Sequence, residues 1–371
     1  MLAKGQTVIQ LFEQWVPKHY AMPDDKIGLQ LGTLQKDIRK VLIALDVTDE
    51  VVEEAIHIGA DLIIAHHAII FRALAHLQTD TPHGRLYEKL IKHDIAVYIA
   101  HTNLDVADGG VNDMLSAALG LEISGHLEDV HTEKLQKLVV FVPQTHDEAV
   151  RNALFTAGAG WIGKYSRCSF NIPGEGTFQP EAGAKPFIGE AGRLERVQEV
   201  RIETIVPESL QRKAVQAMLK AHPYEEVAYD LYPMDLKGRV FGLGRVGRLP
   251  ETVTLRELAE RAKEVYGVPA VRVVGDLSQP VRKVAVLGGS GGRYVRHAQF
   301  AGADVLVTGD IDYHTAHDAL AAGMTIIDVG HNVEKIMKQG VASVLAAKLK
   351  EKKSETEVIA STVNTEPFQF V

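Results

Sequence analysis

Leu62-Ile63-Ile64-Ala65-His66-His67 and Ala96-Val97-Tyr98-Ile99-Ala100-His101-Thr102-Asn103-Leu104-Asp105 are short apolar runs that end abruptly in imidazole and carboxylate. Both lie in one stretch, Asp61 to Asp105. Four or five apolar residues, rich in β-branched types and bounded by polar ones, read as fully buried strands of a parallel sheet. In open α/β sheets, functional groups gather just beyond the carboxyl ends of such strands. A single histidine there is most simply a half-buried side chain with one hydrogen bond. Three histidines and an aspartate on two neighbouring strand ends point instead to a metal site.

A third strand end joins them. Met324-Thr325-Ile326-Ile327-Asp328-Val329 is followed by Gly330-His331-Asn332-Val333-Glu334, and Val333 to Lys348 reads as a helix. His331 and Glu334, three apart at its start, share one face, and a carboxylate is favoured near a helix N-terminus. Imidazole with carboxylate is the ligand set of zinc, manganese or iron.

Composition narrows the classes. The 371 residues suffice for two domains, and 46% hydrophobic with 24% charged is ordinary globular composition. A formal charge of −8 gives no reason to expect nucleic-acid binding. The basic run Lys348 to Lys353 reads as a solvated helix end. One cysteine, Cys168, excludes an intrachain disulfide framework and suits a reducing compartment. Sixteen histidines against that one cysteine tilt any metal site towards nitrogen and oxygen donors. Residues 7–20 read as an amphipathic helix rather than a signal-peptide core. No apolar run has the length to span a bilayer. The expectation is a soluble, cytoplasmic protein.

Along the chain, Gly28-Leu29-Gln30-Leu31-Gly32 reads as a short apolar turn, and Lys40 to Leu45 as the first clear strand, followed by a helix from Asp49 to Ile58. Strand and helix then alternate, as in a helix-covered parallel sheet. From about His126 the character changes to strand, helix, strand, strand, helix, strand, a ferredoxin-like order. Alternation resumes after the joint Lys237-Gly238. The expected architecture is therefore α/β. A discontinuous metal-binding domain, residues 1–126 plus 237–371, has two similar halves around one site, and residues 127–236 form an inserted α+β domain.

His66, His67, Asp105, His331 and Glu334 exceed the four ligands of one tetrahedral zinc. With two carboxylates available to bridge, they fit a pair of ions about 3.5–4 Å apart. The blander alternative is one structural metal with two bystanders. His101 is the general acid/base candidate, or else it orients a ligand carboxylate; Asp310 and His314 have similar standing. The turn Gly288 to Gly292 offers backbone N–H groups to a phosphate, yet it matches neither a Walker A loop nor a dinucleotide fingerprint and reads as a tight structural turn. His222-Pro223-Tyr224-Glu225-Glu226 reads as a helix-ending turn, and Cys168 as a packed thiol.

The pair His66-His67, the run His101 to Asp105, Thr308-Gly309-Asp310 and Gly330 to Glu334 together resemble the GTP cyclohydrolase 1 type 2 homologue family, also called NIF-three-like proteins. Gly28 to Gly32 and Asn364-Thr365-Glu366-Pro367-Phe368 are similar to that family too. In many members the last His and Glu stand one residue further apart. The resemblance implies a dinuclear centre held by His66, His67, Asp105, His331 and Glu334. It also implies ring-shaped homohexamers with the metals facing an internal cavity, and an insert like the PII and CutA domains of the longer bacterial members. Zinc is the expected ion of the two per chain, with manganese or iron as alternatives.

Two functions are consistent with these readings. One is a divalent-metal-dependent hydrolase acting on a nucleotide or related phosphorylated heterocycle. The other is a non-catalytic regulatory ring that binds metal and a metabolite. Whether the protein is an enzyme at all is left open at this level. The expected partners are copies of itself and a small molecule, with no membrane and no nucleic acid.

Overall fold

The computed structural model describes residues 1–371. The chain divides into two compact units, residues 1–131 with 241–371, and residues 132–240.

The first unit contains two mixed sheets. One has the order Glu357–Ala360, Lys40–Ala44, Leu62–Ala65, Ala96–Ile99, Gly28–Leu31. Its first four strands pair in parallel, and the last is an antiparallel edge. Leu62 to Ala65 and Ala96 to Ile99 are at most 1% exposed, because helices cover both faces of a parallel sheet and alternation is lost. Gly28–Leu31 is a strand and not the turn read from its glycines. Four residues carry too little alternation to show a strand; its tertiary partner Ala96–Ile99 decides it. The Gln30 amide also accepts from Ile70 N–H at 2.8 Å and donates to Ile70 C=O at 3.3 Å, as a backbone group would.

The second sheet runs Arg272–Val274, Thr325–Asp328, Val305–Gly309, Pro280–Ser290, Arg245–Thr254, Glu122–Gly125. Only its three central strands are mutually parallel. The expected wholly parallel pattern therefore holds at the middle of each sheet and fails at three of the four edges, where returning chain pairs antiparallel; the edge Glu357–Ala360 stays parallel.

Helix Val111–Ala118 locks one wall of the site. Asn112 donates from Nδ2 to Asp105 C=O at 3.0 Å and accepts from Gly288 N–H at 2.9 Å. Its neighbour Asp113 takes a two-pronged bond from Arg245, at 2.9 and 2.6 Å. Arg245 is 1% exposed and donates further to the carbonyls of Gly242, Gly244 and Ala107. A buried guanidinium is tolerable only with its donors so occupied.

The second unit has the element sequence strand, helix, strand, strand, helix, strand. Its four strands are Glu128–Pro143, Ser169–Phe178, Glu195–Pro207 and Tyr229–Leu243, with helices Asp147–Thr156 and Gln211–Ala221. In chain numbering of these strands, the neighbour order is four, one, three, two. Leu138, Val140, Val200 and Ile202 bury one sheet face with Leu154 and Met218 of the helices.

Candidate metal centre

Each functional side chain sits where a buried strand stops. The strand Leu62–Ala65 ends at His66 and His67, and Ala96–Ile99 leads to His101 and the short helix Thr102–Val106 that carries Asp105. After Thr325–Asp328, Gly330 takes a positive φ of 77°, and His331–Lys335 forms a 3-10 turn ahead of the α-helix Ile336–Glu351. The sequence pattern placed an α-helix from Val333; the tighter turn found there has three residues per turn and eclipses positions three apart. His331 Nε2 consequently lies 3.3 Å from Glu334 Oε2.

That carboxylate oxygen is the hub. His67 Nε2 is 3.2 Å from it and His66 Nε2 is 3.7 Å; His66 Nε2 is also 3.7 Å from Asp105 Oδ1. The structure thus brings all six predicted residues together. Three triads each hold their donor atoms within 4.8 Å: His66, His67, His101; His67, His331, Glu334; and His66, Asp105, Glu334. His314, by contrast, is exposed against Tyr313 and stays outside the cluster.

The far nitrogen of every imidazole is pinned. His67 Nδ1 meets Asp46 at 2.7 Å, His101 Nδ1 meets Asp25 at 2.9 Å, His331 Nδ1 meets Asp310 at 2.6 Å, and His66 Nδ1 meets Ala100 C=O at 2.9 Å. Such partners fix tautomer and ring orientation and leave Nε2 free for a cation. Asp25 is itself held by Thr102 N–H and hydroxyl, and Asp46 by the Thr365 hydroxyl. Asp25 and Asp46 were missed in the sequence. Thr48 caps the helix Asp49–Ile58; the place of Asp46 just beyond the strand Lys40–Ala44 was the available signal for it. Asp25 lies in an aperiodic stretch, and nothing local marks it.

Charge within the cluster is tightly balanced. Burial disfavours a charged His67, yet Asp46 and Glu334 hold it up to about 10. The Glu334 carboxylate, helped by Asp310 and against burial, lifts His331 to about 9. His66 is raised against its burial by Asp105 and Glu334. Glu334, despite burial, is kept well below the carboxylate range by the three imidazoles around it. Asp105 is pushed up to about 6 by burial and by the charge of Glu334.

A cation fits this donor set. His66 Nε2 and Asp105 Oδ1 are buried with no hydrogen-bond partner, a cost that coordination would remove. Gly288 to Ser290, read from the glycines as a tight turn, are instead the end of the strand Pro280–Ser290 and form a wall: a Cβ on Gly289, whose φ is 65°, would stand 2.6 Å from Glu334 Oε1. The glycines there allow the strand's close approach to the carboxylate. Beside His67 and His331 opens a cavity of about 830 Å³, bounded by Val268 to Arg272 and by Thr365 to Phe370.

Fold and centre define an α/β protein with a histidine–carboxylate cluster able to hold metal. The family model described as Duf34/NIF3 (NGG1p interacting factor 3) matches residues 3–367, and the chain belongs to that family. It is 58% identical over 370 residues, all of both chains, to a Halalkalibacterium halodurans protein named GTP cyclohydrolase 1 type 2 homolog. A Bacillus subtilis protein of the same name is 54% identical over 367 residues, 99% of this chain and 98% of that one. Among solved structures, a Bacillus cereus protein related to NIF3 superposes with a TM-score of 0.95 at 56% identity, covering both chains fully. No helix is long and apolar enough to cross a membrane.

Proposed function

We propose that the chain is a hydrolase of nucleotides or related phosphorylated heterocycles, dependent on two divalent ions per chain. The observation that carries this reading is Glu334 shared between two donor triads, one with His67 and His331 and the other with His66 and Asp105. Two such triads meeting at one carboxylate suit a bridged pair of ions, zinc foremost and manganese or iron as alternatives. Bound there, the ions would polarise an electrophilic carbon or phosphorus and acidify water.

The chain's own groups do the rest. Asp46, Asp310 and the Ala100 carbonyl hold the ligating rings. His101, with Asp25 on Nδ1, moves a proton at Nε2. The cavity at His67 and His331 offers apolar walls in Pro367, Phe368 and Val271 for a flat heterocycle, and Arg272 on its lining for a phosphate. The name shared by the relatives supports a nucleotide-like substrate. As the resemblance implies, we take the assembly to be a ring-shaped homohexamer, and residues 127–236 to be an inserted PII- and CutA-like domain.

Elemental analysis tests the centre. Two divalent ions per chain are expected, with at least one lost in His67→Ala; one ion, indifferent to that change, overturns the pair. A metal-replete screen of nucleotides and phosphoesters tests the activity, which must disappear in Asp105→Asn. A second reading, a non-catalytic regulatory ring, is favoured by one observation: the second unit contains a cavity of its own, about 620 Å³. Full metal occupancy without turnover on any substrate would select it.

A further inference from the structure

The cavity of the second unit lies within the usual range of about 300–1,000 Å³ for small-molecule sites. It sits on the sheet face away from the helices. On the strand Glu195–Pro207, Val200 and Ile202 point into the core, so Glu199 and Arg201 share the opposite face. Across the ladder, Glu199 faces Gly174 and Arg201 faces Ile172. Gly174 leaves open space across the ladder, and Gly176, lacking a Cβ, lets the Glu199 carboxylate lie against its backbone.

Glu199 is only 8% exposed. One oxygen accepts from the Tyr224 hydroxyl at 2.8 Å, and no donor of the chain reaches the other. Arg201 lies with its guanidinium 5.8 Å from the Phe141 ring centre, and none of its N–H groups makes an aligned hydrogen bond. Glu203 Oε1 stands 3.0 Å from Nε but off the N–H axis. Glu199 and Arg201 do not pair with each other, although opposite charges two apart on a strand face start only about 6–7 Å apart. Glu199 keeps one oxygen free towards the cavity, and Arg201, half-exposed and ion-paired with Glu203 through Nε, keeps its terminal N–H groups free for a second anion. Phe178, Phe187 and Tyr224 form an aromatic wall, with ring centres 5.8 and 6.4 Å from that of Tyr224.

We propose that this cavity binds a small zwitterion, an ammonium and a carboxylate on an apolar or aromatic body, as in an aromatic amino acid. The ammonium donates to the free Glu199 oxygen, the carboxylate accepts from Arg201, and the body packs on the aromatic wall. A lone amine would forgo the terminal N–H groups of Arg201, and a lone acid would leave the buried Glu199 oxygen without a donor. The assignment needs neither metal nor hydrolysis, so it stands or falls apart from the function proposed above.

Calorimetry on the full chain tests it, with L-phenylalanine as probe and phenethylamine and hydrocinnamate as its single-charge counterparts. One saturable site per chain is expected, with both counterparts weaker by about tenfold or more. Glu199→Gln and Arg201→Met should each weaken phenylalanine to a similar degree. Should Glu199→Gln fail to fold, Gly176→Ala makes the same test, since its Cβ would lie 2.2 Å from a Glu199 oxygen and displace it. No saturable binding overturns the proposal. So does a counterpart that binds as tightly as phenylalanine, or undiminished affinity in any folded one of these variants.

Discussion

The candidate metal centre of the first unit and the cavity of the second both bury a glutamate, and they hold it in opposite ways. Glu334 has three imidazole nitrogens within 3.7 Å, and each ring is pinned behind by a carboxylate or a carbonyl. Glu199 has one tyrosine hydroxyl and an open face. The first arrangement leaves almost no freedom and presents a rigid set of lone pairs, as a metal ion requires. The second leaves groups half-satisfied, which suits a ligand that supplies the missing partners itself. Pre-organisation and incompleteness are two different signs of a site.

Removing charge from the rigid centre should have the largest effect. Asp105→Asn keeps the shape of the side chain but removes a negative charge that would balance bound cations, and metal binding and any turnover should fall together. Metal content by elemental analysis, measured beside turnover, makes the check. If Asp105→Asn keeps its metal and its activity on a genuine substrate, the active site lies elsewhere.

His101→Ala comes next. As a proton shuttle, His101 can be lost with metal retained while turnover drops by about 10²–10⁴. Its geometry makes this a sharp test, because its donor nitrogen groups with those of His66 and His67 and its Nδ1 is held like that of a ligand. If His101→Ala empties the centre, His101 is a ligand and the shuttle assignment fails.

Acid should weaken metal binding. His67 and His331, held up to about 10 and about 9, carry protons at neutral pH, whereas ligation needs neutral rings. Raising pH therefore strengthens binding, by up to about a hundredfold per unit while two protons must leave, until the pH passes about 9. Competition titrations against a chelator at about pH 7 and about pH 8 measure this; equal affinities would mean that no ligand gives up a proton. Asp46→Asn is smaller. It keeps a hydrogen-bonding group near His67 Nδ1 but loses the charge, and metal affinity should fall by about 10- to 100-fold. An unchanged affinity would show that the pinning partner of His67 does not matter.

The difference between the two regions also explains what the sequence discloses. His66-His67, His101, Asp105, His331 and Glu334 were legible because a buried parallel strand is an unbroken apolar run, and the residues just past its end lie at the sheet's functional edge. The α/β alternation was legible for the same reason. The carboxylates behind the rings were not: Asp25 reaches His101 across 76 positions, and only the tertiary fold brings it there. The edge strand Gly28–Leu31 escaped too, since its pairing depends on a distant partner. In the second unit the cavity was illegible altogether. Glu199 and Arg201 sit in an ordinary alternating strand, and their meaning comes from the glycines opposite and from Tyr224, which the sequence presents only as part of a helix-ending turn.

The smallest effect is expected at Tyr224→Phe, and it bears most directly on the contrast. Burial and the neighbouring Glu199 raise Tyr224 above the usual tyrosine range, so its hydroxyl remains a protonated donor. A hydrogen bond to a charged group contributes about 1.5–3 kcal/mol when nothing replaces it. Here the cavity lets water reach the carboxylate and substitute for the lost hydroxyl, so the cost should fall to about 1 kcal/mol or less. The ring stays and keeps its edge contacts with Phe178 and His222. Chemical denaturation of the full chain, with metal content as a parallel reading, should show a small loss of stability and no loss of metal. A drop beyond about 3 kcal/mol would mean that the Tyr224–Glu199 pair is sealed from water and determined as rigidly as the Glu334 hub, and the distinction between a closed donor set and an open one would collapse.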